Sequence, residues 1–144
     1  MKFWDSSGIV PVVVKEKQSK YCLDLLSEDQ DMLVWCLSRL EVLSALCRQL
    51  REGIIDDAIF GKARDRLDAI LHRAYEVTSL DKVRSRAARL LEVHPLRAGD
   101  ACQLGAALVA THDDPARLPL VCFDRRLMAA ARREGFVVNP MTGD

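Results

Sequence analysis

Short apolar runs of strand length alternate along the chain with longer stretches whose apolar residues recur at helical spacing, and this alternation constrains the fold more than any other feature. Lys2-Phe3-Trp4, Met32 to Cys36, Tyr75-Glu76-Val77, Leu118 to Phe123 and Phe136-Val137-Val138 predict strands. Ser19 to Ser27, Ser38 to Glu52, Ile54 to His72, Lys82 to Leu91, Leu96 to Thr111 and Arg125 to Glu134 predict helices, with Gly53 and Gly135 as stop signals. A further helical stretch after Asp5 is expected to break or kink at Pro11. Apolar strands separated by helices belong to a mostly parallel sheet covered on both faces. The expectation is an α/β fold with four to five strands.

The 144 residues fit one domain, placed over residues 1–139, with a short tail over 140–144. Hydrophobic residues at 49% fill a core while charged residues at 29% cover the surface, which argues against disorder. The 21 basic and 21 acidic side chains balance, so the whole molecule exerts no field on a polyanion, and any nucleic acid must be drawn by a local basic patch. Five cysteines, at 22, 36, 47, 102 and 122, make no C-x-x-C pair and sit among apolar neighbours, as free thiols of a cytoplasmic protein do. The run from Gly8 to Val14 contains Pro11 and is too short to span a bilayer, so no membrane role is expected. His72, His94 and His112 lack zinc-ligand spacing, and Trp4 and Trp35 fall within strands as core residues.

In open parallel sheets, ligands bind beyond the carboxyl ends of the strands. Asp5 and Asp124 each stand where an apolar strand stops. Glu41 and Asp100 each fall in the first turn of a helix, and Asp100 shares a face with Leu104, Ala107 and Leu108. Each acid also has an ordinary explanation. Ser38 and Glu41 match a capping box, Asp100 suits a helix dipole, and Asp5 and Asp124 suit N-caps. Together they are harder to explain as caps, because two carboxylates about 4 Å apart repel by roughly 4 kcal/mol at an effective dielectric of 20. No Lys or Arg is placed to neutralise four of them, so a hard divalent cation with oxygen ligands is the economical answer.

Asp5-Ser6-Ser7, Ser38-Arg39-Leu40-Glu41, Leu96-Arg97-Ala98-Gly99-Asp100-Ala101 and Phe123-Asp124-Arg125-Arg126-Leu127 resemble, in order and spacing, the acidic motifs of PIN-domain nucleases. The resemblance runs from Asp5 to about Asn139 and is nearest to the VapC toxins of bacterial toxin–antitoxin pairs. It implies a PIN-like domain and a metal-dependent endoribonuclease, in which an activated water attacks phosphorus in line and the 3′ oxygen leaves. Asp5, Glu41, Asp100 and Asp124 would be its catalytic and metal-holding residues, with Asp5 and Asp100 the firmest ligands of Mg²⁺ or Mn²⁺. Ser7, Arg97 and Arg125 would contact substrate, since guanidinium groups match phosphate geometry. The implied partners are RNA, an antitoxin protein that covers the acidic groove, and a second copy of the chain in a homodimer. One departure stands out: Cys122 occupies the position two before the last Asp where the family usually carries Thr or Ser. The rival readings are a PIN nuclease of RNA processing and a non-catalytic PIN-fold binding module.

Overall fold

The computed structural model describes residues 1–141, so positions 142–144 of the expected tail lie outside the described residues. The chain runs β1 (Lys2–Trp4), α1 (Ser6–Val13), α2 (Ser19–Glu28), β2 (Met32–Trp35), α3 (Ser38–Arg51), α4 (Asp57–Arg73), β3 (Tyr75–Val77), α5 (Leu80–Val93) and α6 (Ala98–Ala110). A 3-10 turn (Pro115–Arg117), β4 (Leu120–Val121), α7 (Arg125–Arg133) and β5 (Val138–Asn139) complete it. The sheet order is β3-β2-β1-β4-β5 and every pairing is parallel. The fold is therefore α/β, and its sheet is wholly rather than mostly parallel. From β1 the chain builds outward through β2 to β3, then crosses back to lay β4 on the other side of β1. The strand order reverses between β1 and β4, and a crevice opens beyond the carboxyl ends of those two strands.

Side chains alternate across the pleat and divide the core in two. Phe3, Trp35, Leu120 and Cys122 face the layer that contains α5, α6 and α7, among Val83, Leu90, Leu104 and Leu127. Trp4, Val34, Met32 and Val121 face α1 to α4, among Ile9, Val42, Leu46 and Leu67. Both tryptophans are buried, and each large side chain so removed from water contributes roughly 1.5–3 kcal/mol. The five cysteines are unbridged, and among the described residues no helix is long and apolar enough to cross a membrane.

Several boundaries differ from the sequence expectations. α1 continues through Pro11 to Val13; the residue sits near the helix end, where one lost backbone bond costs little continuity. β4 is two residues long rather than six, because Leu118 closes the 3-10 turn and Pro119 has no N–H to give a neighbouring strand. β5 begins at Val138 rather than Phe136. α6 starts at Ala98, since His94 is held extended by the following Pro95 and Arg97 remains extended as the N-cap.

Candidate active site

Asp5 follows β1 and caps α1. Its N–H donates to the Val121 carbonyl at 3.0 Å, which carries the sheet pairing one residue past the strand. Its Oδ2 accepts the Ser7 N–H at 3.1 Å and the Ser7 hydroxyl at 2.5 Å. The Ser7 oxygen in turn accepts the Phe123 N–H at 2.9 Å, so the loop after β4 is tied to the loop after β1. Asp124 lies one residue further on and caps α7, its Oδ1 accepting the Leu127 N–H at 2.8 Å.

Glu41 corrects the capping-box expectation. The N-cap of α3 is Leu37, without a side-chain bond, and Ser38 is buried in the first helical position. The Glu41 Oε2 accepts the Ser6 hydroxyl at 2.8 Å and the Gln103 amide at 2.9 Å. Gln103 also donates to Ser38 Oγ at 3.0 Å. The carboxylate thus leaves its own helix end unattended and links α3 to α1 and α6. Asp100, in the first turn of α6, accepts the Arg97 N–H through Oδ2 at a long 3.4 Å. One oxygen of each carboxylate is thereby tied to protein, and among the described residues Asp5 Oδ1, Glu41 Oε1, Asp100 Oδ1 and Asp124 Oδ2 make no hydrogen bond to it.

Asp5 is only 3% exposed, and burial raises its carboxyl to about 6 against the opposing hydrogen bonds of Ser7, with Glu41 and Asp100 adding repulsion. Asp100 is raised as well, first by burial and then by the charge of Asp124, with Glu41 contributing and Arg97 opposing. The four acids therefore feel one another. Among the described residues none of them has a Lys or Arg within ion-pair distance. As they stand, no three His, Cys, Asp or Glu side chains among the described residues gather closely enough to hold a metal ion. The donor set nevertheless suits a hard divalent cation, being oxygen only, mutually repelling and anchored by a buried acid without a counter-ion.

A cleft of about 790 Å³ lies over these groups, with Ser7, Glu41, Arg48, Arg97, Asp100 and Asp124 in its walls. Asp5 is buried and does not line the cleft, but its Oδ2 is bonded to Ser7, which does. Arg125, expected to contact substrate, is exposed on α7 but does not line the cleft. Arg48 does, and the sequence carried a signal for it: it follows Glu41 by seven residues, two turns on one helix face. Gln103 was legible in part as an amide three residues after Asp100 on an otherwise apolar face, whereas Ser6 stood only within the Asp5-Ser6-Ser7 motif, with nothing to pair it with Glu41. Cys122 is fully buried, and its sulfur lies 3.7 Å from the Ser7 hydroxyl and 3.6 Å from the Asp124 carbonyl. Burial pushes its thiol well above the ordinary range, so it acts as packing behind Ser7. No protein-family model matches the chain, and no curated protein matches it.

Proposed function

We propose that the chain is a metal-dependent endoribonuclease of the PIN-domain kind, the VapC-like toxin of a pair whose antitoxin covers the acidic cleft. The observation that carries this reading is that Glu41, Asp100 and Asp124 line one cleft at the switch point of the sheet, with buried Asp5 held through Ser7 and close enough to repel Glu41 and Asp100, and that none of the four is in an ion pair among the described residues. Mg²⁺ or Mn²⁺ bound there would neutralise charge on a phosphate and lower the pKa of a water molecule. Asp5 and Asp100 would be its principal ligands, and the free oxygens of Glu41 and Asp124 would complete the set or orient water. Ser7 holds Asp5 in place and keeps a hydroxyl at the centre despite Cys122. Arg97 and Arg48 line the cleft and are suited to the phosphates flanking the scissile one, whose 3′ oxygen departs. A strand lying along α3 from Glu41 to Arg48 would cover about 10 Å.

The test is cleavage of labelled RNA by folded wild-type protein and by Asp5→Asn, each with Mg²⁺, Mn²⁺ or EDTA. Cleavage that requires the metal and disappears in the variant supports the nuclease, and absence of cleavage in both metals overturns it. The open arrangement of the acids favours one other reading, a PIN-fold binding module that uses the cleft for docking. Metal binding without cleavage would mark that module.

A further inference from the structure

We infer that Gln103 is a positioning residue that acts through Glu41, setting which carboxylate oxygen faces the cleft; this rests on the metal-dependent reading of the same site. Gln103 is 1% exposed on α6 and does not line the cleft, and its side-chain bonds go to Glu41 and Ser38. Its amide nitrogen has two protons and both are used, one on Glu41 Oε2 at 2.9 Å and one on Ser38 Oγ at 3.0 Å. The same Ser38 hydroxyl lies 3.4 Å from the amide oxygen, and the Glu41 carboxylate, which can only accept, sets the orientation by requiring the nitrogen on its side. Ser6 holds the same Glu41 oxygen at 2.8 Å. With Oε2 occupied by two donors, Oε1 is the oxygen left over, and it stands beside Gly99, where an added Cβ would lie 3.4 Å from it. Asp100 follows Gly99 directly, so the clamp leaves Oε1 next to the segment that carries the acid with which Glu41 would share a cation.

An amide suits this task because it donates without carrying charge. A lysine in its place would pair with Glu41 and compete with a cation, and a leucine would leave both Ser38 and Glu41 short of a donor in a buried setting. Ser38 and Gln103 thus form a support behind the carboxylate, and such supports around metal ligands commonly change affinity by about 10- to 100-fold when removed.

The experiment is Mn²⁺ binding by calorimetry, with thermal melting as the control for folding, on wild type, Gln103→Met, Gln103→His, Glu41→Ala and the double variant Gln103→Met with Glu41→Ala. Gln103→Met keeps the length of the side chain and removes its donors. The expected result is a loss of about tenfold or more in Mn²⁺ affinity for Gln103→Met, partial recovery in Gln103→His through a ring N–H, and no added loss from Gln103→Met once Glu41 is gone. Unchanged affinity in a folded Gln103→Met, or an equal loss with and without Glu41, overturns the inference while leaving the metal site standing. Should Gln103→Met fail to fold, Ser38→Ala releases the amide from behind and must give the same Glu41-dependent loss. Absence of Mn²⁺ binding by folded wild type overturns this inference together with the functional reading on which it rests.

Discussion

Ser7 stands between two strands: its hydroxyl donates to Asp5 at 2.5 Å while its oxygen accepts the N–H of Phe123 at 2.9 Å. One short side chain therefore closes the switch point and sets the most buried acid of the cleft. Ser7→Ala should leave the Phe123 N–H without its acceptor and lower stability by about 1–3 kcal/mol. Denaturant unfolding checks the stability, and calorimetry should show weaker Mn²⁺ binding in the same variant.

Asp5 makes the metal-free protein sensitive to pH in a defined direction. Its carboxyl is raised from 3.8 to about 6, so between those values the folded protein keeps a proton that the unfolded chain has released. Stability contributed by this group is thus lost as pH rises from about 4 to about 6 and stays lost above, a cost on the order of 3 kcal/mol. Asn cannot ionise and still offers an oxygen to Ser7. In EDTA, Asp5→Asn should gain stability relative to wild type as pH rises from about 4 to about 6, measured by urea unfolding at about pH 4 and about pH 7. The same variant should cleave no RNA. A constant difference between the two proteins across that range would contradict the buried, unpaired state of Asp5.

Asp124 has two separable roles. Its Oδ1 caps α7 through the Leu127 N–H, and its Oδ2 is free for the cleft. Asp124→Asn retains a cap and should melt near wild type, whereas Asp124→Ala should lose about 1 kcal/mol. Both should lose Mn²⁺ affinity and RNA cleavage, which separates the charge from the cap.

Arg48 and Arg97 line the cleft without an ion-pair partner among the described residues. Their replacement by Gln, singly and together, should raise KM for RNA with little change in kcat. The slope of log KM against log salt should shrink by about 0.7 for each single-strand phosphate that the variant no longer neutralises. Arg125→Gln, outside the lining of the cleft, should leave KM nearer that of wild type.

Gly8 lets α1 sit directly on β4. A Cβ there would lie 3.0 Å from Val121 Cγ1 and 3.1 Å from the Val121 carbonyl, whose oxygen already holds the Asp5 N–H. Gly8→Ala should cost about 1–3 kcal/mol in overpacking, more than the roughly 1 kcal/mol that alanine returns in helix propensity. A lower melting temperature with reduced Mn²⁺ affinity is expected, since any retreat of α1 carries Ser6 and Ser7 away from Glu41 and Asp5.

The sequence by itself determined the order of strands and helices, the location of Asp5 and Asp124 at strand ends, and the placement of Asp100 on a buried helix face. These follow from hydrophobic periodicity and its interruption, which are local properties of a chain. Only the tertiary structure decided that β4 settles beside β1, and hence that residues more than a hundred positions apart share one hydrogen-bonded centre. Glu41 shows the division most clearly. Ser38-Arg39-Leu40-Glu41 reads locally as a capping box, yet the buried Ser38 and the carboxylate both turn to Gln103, sixty-odd residues away. A hydrogen bond goes to the partner that leaves the fewest buried groups unpaired, and which partners compete is settled only when α6 packs beside α3.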